Sequence, residues 1–323
     1  MHQLLECIDA GTEYCPCYLA ESNECIMCSQ LQGNTFCDCR NWKGVCIYQE
    51  YIWNRSRIKE GRREITCRIA EKKTVSGNLM ILTLEANRTL ARELNEPGAY
   101  VFLRDPRDPG YFDTPMSVMM VNEEEGTLSF AVNTRGVKTK ALAGLENEVS
   151  LRGPYWNGIL GLKYLKGFRR GKALLVARGV GQAPAIAVAR KLILAGNQVD
   201  MVVDAGNIGV NFAEQYFRDL GCKIILQTVF DKNKLTVSPE ALKFIKRQVE
   251  DEGVRLVYCG GPELMNRDIK ELIQGLEQEV YFVCSNDAKL CCGEGICGSC
   301  QTRLHDGNRV ITCKTQLNPM EII

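Results

Sequence analysis

Residues 172–204 read KALLVARGVGQAPAIAVARKLILAGNQVDMVVD, and this stretch decides the fold. KALLVA is a short apolar run of strand length. A glycine turn, Gly179-Val180-Gly181, follows it and leads into PAIAVARKLILAG, which is long enough for a helix, before QVDMVVD returns to a strand. Strand, turn, helix and strand together form the unit of a parallel sheet covered by helices. The alternation continues through NFAEQYFRDLG, CKIILQTV, SPEALKFIKRQVEDEG, VRLVYC and PELMNRDIKELIQGL. Ser238 followed by Pro239 marks one of these helix starts, because proline at the first helical position costs no hydrogen bond.

Upstream the rhythm differs. From Glu64 to Leu151 short runs (EITCRIA, NLMILTLEA, AYVFLR, MSVMMVN, TLSFAVN, EVSLR) are separated by glycine, asparagine, proline and charged turns, which predicts a small antiparallel barrel or sandwich. We find no internal repeat and no low-complexity tract.

The chain has 323 residues, 40 basic and 39 acidic, with a formal net charge of +1. Such a balance offers no field to recruit nucleic acid or an anionic membrane. The N-terminal MHQLLECIDAG lacks a basic-then-apolar pattern, and the apolar stretch Ala183–Ala195 is interrupted by Arg190 and Lys191. We therefore expect no signal peptide, no membrane span and a cytoplasmic location. Seventeen cysteines in a reducing compartment point to metal ligation rather than disulfides. With His2 and His305 the only histidines, any site is almost wholly thiolate, which suits iron-sulfur clusters or zinc.

Cys292, Cys297, Cys300 and Cys313 have the spacing C-x4-C-x2-C followed by a distant cysteine, the plant-type pattern for a [2Fe-2S] cluster. Gly293, Gly295 and Gly298 free the loop of side chains, so backbone amides can turn toward the sulfurs. A zinc knuckle is the competing reading. Eight more cysteines (Cys7, Cys15, Cys17, Cys25, Cys28, Cys37, Cys39, Cys46) crowd the N-terminus. Cys67, Cys222, Cys259, Cys284 and Cys291 lie in or beside apolar stretches and read mostly as packing residues.

The turn Gly179-Val180-Gly181-Gln182-Ala183-Pro184 lets backbone approach a pyrophosphate at a helix N-terminus. A tight strand-to-helix turn also needs glycine for its own sake, so the motif alone is weak. Cys259-Gly260-Gly261-Pro262 adds weight, since it ends a later strand where open α/β sheets place ligands. Asp204 ends the second strand, where a carboxylate can bond a ribose 2′-hydroxyl; this tilts the reading toward NADH over NADPH.

The ordered set of a barrel, Gly153-Pro154-Tyr155-Trp156-Asn157-Gly158, the GVGQAP turn, the CGGP turn and the four-cysteine motif resembles the ferredoxin-NADP reductase superfamily. Within it the chain resembles the electron-transfer subunits of dihydroorotate dehydrogenase and the small subunits of bifurcating NAD(P)H:ferredoxin oxidoreductases and sulfide dehydrogenases. The likeness runs from about Arg62 to the C-terminus. It implies that the barrel binds FAD, the α/β domain binds NADH or NADPH, and the terminal loop holds [2Fe-2S]. Thr114-Pro115-Met116-Ser117 looks like the family's flavin strand, and Gly136, Lys138 and Thr139 look like the turn that receives the flavin pyrophosphate. The family's usual arginine is Thr114 here, and Arg135 and Lys138 are the cations on the adjacent turn that can serve the same phosphates. Cys259 follows the position beside the nicotinamide, with a positional role.

We thus expect a cysteine-rich module over 1–58, an FAD-binding β-barrel over 59–160, an NAD(P)-binding α/β parallel-sheet domain over 161–283 and a [2Fe-2S] module over 284–323. The eight N-terminal thiolates match the ligand count of two [4Fe-4S] clusters but not the bacterial ferredoxin run, and four-cysteine zinc is the alternative. The expected function is an electron-transfer subunit that passes electrons between NAD(P)H, FAD and clusters to one or more oxidoreductase subunits, with ferredoxin among the candidate partners. Its rival is a metal-binding scaffold that has lost flavin, which Thr114 and the bulky Trp156 keep open.

Overall fold

A computed structural model describes residues 5–38 and 44–323. It divides into two compact units. The larger comprises Ile65–Asp287 with Asn318–Met320, and the smaller joins both chain ends, Met1–Glu64 with Ala288–Leu317 and Glu321–Ile323.

The larger unit contains two main sheets. The six-stranded one runs in the order Lys223–Leu226, Gln198–Asp204, Lys172–Arg178, Val254–Gly260, Tyr281–Ser285 and Ile159–Leu160. The first five strands pair in parallel, and the last is an antiparallel edge. Ala173 to Ala177 are all buried, as a strand covered on both faces requires. Chain order reverses on either side of Lys172–Arg178. That strand is therefore the topological switch point, and the crevice beyond its C-terminal end is where such sheets bind ligands. Helices Gln182–Leu194, Glu214–Asp219, Pro239–Glu250 and Glu263–Gln274 make the crossovers. Ser238 caps Pro239–Glu250 by accepting the Ala241 amide at 3.3 Å, as the Ser-Pro pair predicts.

The β-rich segment is one seven-stranded sheet, ordered Thr114–Ser117, Tyr100–Arg104, Glu148–Tyr155, Glu64–Ser76, Leu79–Glu85, Thr127–Asn133, Met120–Asn122. Its order begins and ends at an edge strand. Of the expected barrel the structure shows the antiparallel sheet, and among the described residues no ladder joins its two edge strands. The two edge strands are consecutive in the chain, joined by Val118 and Met119, whose amides bond Ala99 and Ser129. The sheet must curl to bring its edges that close, and covalent chain completes what hydrogen bonds do not. Its inner face packs Leu82, Leu84, Leu128, Phe130, Val132 and Leu151.

The smaller unit has little apolar core. Among the described residues its buried non-cysteine hydrophobics are Leu19, Ala20, Leu31, Ile47, Leu304, Val310 and Leu317. Its two ends are stitched by a short antiparallel pair, Glu6–Cys7 with Thr315–Gln316, and by a buried charge network. Asp9 accepts from Arg62 at 2.7 Å and from Lys314, and Glu294 accepts from Lys314 at 2.9 Å and from Arg62 at 3.3 Å. Two acids and two bases close a neutral ring. The Asp9, Arg62 and Lys314 side chains are almost fully buried, and Arg62 also lies 4.2 Å over the Tyr14 ring. Burial pushes the Asp9 carboxyl up, but Lys314 and Arg62 outweigh it and hold the group below the usual carboxylate range. No described helix is long and apolar enough to cross a membrane.

Breaking one member of a buried ionic set strands the others, at a cost of about 3–5 kcal/mol, while replacing opposite charges together costs less. Asp9→Ala should therefore lower the urea midpoint strongly, and Asp9→Leu combined with Lys314→Leu should cost less than the two single changes summed. Strict additivity in that cycle would show that the ring is not coupled.

Candidate functional site

At the switch point two glycine turns meet backbone to backbone. A Cβ on Gly181 would lie 2.2 Å from the Gly260 carbonyl oxygen and 3.1 Å from the Gly261 nitrogen. Gly181 is therefore required by packing whatever it also does for a ligand. Gly179 differs: its φ is +58°, and a Cβ there would meet nothing within 4 Å. The space beside Gly179 is open at the end of the central strand, where the helix Gln182–Leu194 begins.

The neighbouring side chains are already occupied. Gln182 is wholly buried, its amide donating to the carbonyls of Asp204 and Val210 and accepting from Ala213 N. Asp204 is buried as well: one oxygen accepts from Gly206 N at 2.8 Å, the other from Val229 N at 2.8 Å, and Arg178 pairs with it at 3.3 Å. Its carboxylate braces the loops around it, so the tilt toward NADH loses the open oxygen on which it rested. Cys259 is fully buried and pairs in register with Cys284 on the next strand. Burial pushes its thiol well above the ordinary range, which suits a positional role and not a nucleophile.

Thr114–Ser117 is an edge strand laid along Tyr100–Arg104, with Leu103 opposite Thr114 and Tyr100 opposite Ser117. Thr114 Oγ1 donates to the Phe112 carbonyl at 3.0 Å. The cation missing at position 114 has near neighbours. Lys138 Nζ reaches the carbonyls of Tyr111 and Asp113, the latter at 3.1 Å, while Arg135 donates to Asn207 O at 2.9 Å. Arg104 and Arg152 converge on the buried Asp113 carboxylate at 3.1 and 2.8 Å, and Arg152 also lies over the Phe102 ring. Neither arginine stands out in the sequence; only the strand register brings them beside Thr114. Gly136 opens the helix Val137–Gly144, with Thr139 Oγ1 accepting its amide at 3.1 Å. Gly136, Val137 and Lys138 are exposed. An anion at this helix start would meet backbone N–H groups and a lysine together.

In the smaller unit the four C-terminal thiols meet in pairs. Cys292 faces Cys313 and Cys297, and Cys300 faces Cys313. The Glu294 amide donates to Cys292 Sγ at 3.3 Å, and the Cys313 amide to Cys300 Sγ at 3.4 Å. Hydrogen bonding from the Cys313 thiol, aided at each sulfur by backbone amides, takes Cys292 down to about 4 and Cys300 down to about 7. Cys313, in reach of both with its one proton, is pushed up. Gly293, Gly295 and Gly298 all have positive φ, the left-handed backbone that glycine adopts without a Cβ penalty. This donor set, four thiols in mutual reach with amides bonded to two of them, fits an iron-sulfur cluster.

Of the eight N-terminal cysteines, Cys39 lies outside the described residues. Cys7, Cys15, Cys17 and Cys25 line one cavity, walled by Leu19, Met27 and Ile47. Burial pushes all four thiols up, Cys15 to about 12. Cys28 packs with the small apolar cluster around Leu31, and Cys37 and Cys46 are exposed. Among the described residues no three His, Cys, Asp or Glu side chains converge on a single ion. Cys67, Cys222, Cys259 and Cys284 are buried, and Cys291 is exposed.

No family model matches the chain. The dihydroorotate dehydrogenase B (NAD(+)) electron transfer subunit of Shouchella clausii is 25% identical over 257 residues, 78% of this chain and 91% of that protein. The corresponding subunit of a Geobacillus species is 25% identical over 242 residues, 73% of this chain and 88% of that one. A solved NADH-dependent reduced ferredoxin-NADP oxidoreductase, described for flavin-based electron bifurcation, superposes with a TM-score of 0.61 at 19% identity, covering 80% of this chain and 89% of that one. A ferredoxin reductase of carbazole 1,9a-dioxygenase gives a TM-score of 0.50 at 14% identity, covering 69% of each chain.

The chain is similar in sequence to these electron transfer subunits, and it shares the fold of the solved ferredoxin-NADP oxidoreductase. Within this reductase fold the bulky Trp156 is accommodated structurally: its indole donates to Glu93 O at 2.8 Å and its ring packs on the core of the seven-stranded sheet. Gly158 donates to Gly98 O at 2.9 Å, where a Cβ would be only 2.8 Å from that same oxygen.

The two turn glycines should separate experimentally. Gly181→Ala forces backbone apart and should cost about 1–3 kcal/mol or more, seen as a lower Tm. Gly179→Ala meets only the left-handed backbone penalty of roughly 1–2 kcal/mol, and Gly179→Val should chiefly raise the KM for a nicotinamide dinucleotide in dye reduction. Equal Tm losses in both alanine variants would contradict the packing assignment.

Proposed function

We propose that this chain is the electron-transfer subunit of an oxidoreductase complex, taking electrons from NADH or NADPH through FAD to cysteine-ligated iron-sulfur clusters and on to a partner subunit. The observation that carries the reading is the four-thiol set Cys292, Cys297, Cys300 and Cys313 on a chain whose larger unit has the reductase fold. When bound, a flavin supplies the exchange between a two-electron carrier and one-electron clusters, and the protein's part is binding, orientation and electrostatics.

The residues divide that work. Gly179 and Gly181 with Ala183 and Pro184 form the open turn for the dinucleotide pyrophosphate, and Cys259, Gly260, Gly261 and Pro262 wall the same crevice. Pro115, Met116 and Ser117 present the edge strand to the flavin ring, while Gly136, Lys138 and Thr139 hold its pyrophosphate, with Arg135, Arg104 and Arg152 supplying positive potential in place of an arginine at 114. Cys292, Cys297, Cys300 and Cys313 hold [2Fe-2S]; the N-terminal cysteines hold further iron-sulfur, with zinc the alternative. Free thiols on this scale require a reducing compartment, which favours the cytoplasm. The resemblance to subunits of larger enzymes supports a partner oxidoreductase subunit, and a ferredoxin is a candidate partner of matching chemistry.

A visible spectrum of anaerobically purified protein tests the reading: flavin bands together with cluster absorbance are expected, whereas cluster absorbance without flavin would leave the metal-binding scaffold that Thr114 keeps open. Cys297→Ser or Cys300→Ser should abolish the rhombic [2Fe-2S] resonance and leave flavin bound. Lys138→Ala should weaken FAD binding about tenfold or more, the effect of one lost charge-assisted hydrogen bond of roughly 1.5–3 kcal/mol. A spectrum with the resonance intact in both cysteine variants would move the ligands elsewhere.

A further inference from the structure

The cavity in the smaller unit divides the N-terminal cysteines in a way their number does not. Cys7, Cys15, Cys17 and Cys25 line it together; Cys28 packs on the same apolar cluster as Cys15 and Cys25 without lining the cavity, and Cys37 and Cys46 are exposed. Once the first four are set apart, the sequence shows an echo. Their spacing is C-x7-C-x-C-x7-C, and the remaining Cys28, Cys37, Cys39 and Cys46 follow as C-x8-C-x-C-x6-C. Each set is two outer cysteines around a central C-x-C pair.

Backbone near each of the four sulfurs favours the thiolate: that of Asp9 at Cys7, of Gly11 at Cys15, of Leu19 at Cys17, and of Met27 and Cys28 at Cys25. Amides near sulfur offset thiolate charge in a site shut off from water, and at Cys292 and Cys300 they close as hydrogen bonds of 3.3 and 3.4 Å. Cys15 and Cys25 also pack on the apolar cluster around Leu31, but small thiols add little area to a unit so short of core. As ligands they would supply the cross-links that a small unit needs.

We propose that Cys7, Cys15, Cys17 and Cys25 ligate one [4Fe-4S] cluster, one thiolate to each of its four irons, separate from the cluster at Cys292, Cys297, Cys300 and Cys313. This deepens the electron-transfer reading by assigning the ligands of one additional carrier, and as a metal site it stands independently of whether flavin binds.

The test uses the full-length protein purified anaerobically. The Mössbauer spectrum of the wild type should contain a [4Fe-4S] component, and the Cys15→Ser/Cys17→Ser variant should lose about four irons and four acid-labile sulfides per chain while keeping the rhombic [2Fe-2S] resonance. Absence of any cubane component in the wild type would overturn the proposal regardless of how the variant folds. So would zinc bound in place of that iron, an unchanged iron content in the variant, or loss of the rhombic resonance with only about two irons. Flavin content and NAD(P)H-dependent dye reduction, measured on the same samples, report the larger unit. Their failure with the iron result intact would sink the electron-transfer reading and leave the ligand assignment standing.

Discussion

The smaller unit depends on the neutral ring of Asp9, Arg62, Glu294 and Lys314. Two of its members come from the N-terminal segment and two from the C-terminal one, and both C-terminal members neighbour cysteines: Glu294 stands between Cys292 and Cys297, and Lys314 follows Cys313. Two segments nearly the length of the chain apart are thereby held in one body, where apolar burial alone is too sparse to hold them. An apolar replacement could be as stable in principle, since desolvation offsets most of the attraction in a buried ion pair. What the ring adds is register: each carboxylate has two fixed partners, so the loop carrying Cys292 can sit in only one place relative to Asp9.

In the larger unit the corresponding constraint is a steric one. The turn after the central strand and the turn after its neighbour touch through Gly181 and Gly260, at the place where the strand order reverses. No side chain fits between them. The contact fixes the two walls of the crevice, and the bonds of Gln182 and Asp204 fix the loop behind it, so the open backbone at Gly179 is presented by a rigid frame. A glycine turn of this kind serves packing and ligand approach at once, and that is why a short glycine motif is weak evidence when read alone.

Much of this was legible in the sequence, for a physical reason. Period and composition are local, so the alternation from Lys172 onward fixes strands and helices, and Ser238-Pro239 fixes a helix start. The C-x4-C-x2-C spacing is equally local, and the structure brings those thiols within reach of one another. What escaped was non-local. The β-rich runs did not say whether their sheet closes, since closure is decided by where Val118 and Met119 carry the chain. Asp204 sits at a ribose-binding position by sequence, yet its partners Val229, Phe230 and Arg178 come from elsewhere and turn it inward. The two cysteine-rich ends read as separate modules because nothing local announces that Lys314 is the counter-ion of Asp9. Removing the N-terminal segment would therefore strip the C-terminal cysteine loop of its strand partner and leave Lys314 with one carboxylate fewer.

The same lysine acts on the N-terminal cysteines from the C-terminal segment. Lys314 is fully buried, and it stabilises negative charge at Cys7 and at Cys17 while bonding Glu294, whose amide donates to Cys292. In a medium of low effective dielectric, charges a few ångströms apart interact by several kcal/mol, far more than across water. A unit negative charge added at Cys7 or Cys17 would therefore be felt by a cation that also holds Asp9 and Glu294. Asp9 and Glu294 keep the ring neutral overall, so that cation is held in place without leaving a net charge in the interior. One buried residue thus links the electrostatics of the two ends of the chain, and it can do so only because the fold has first brought those ends together.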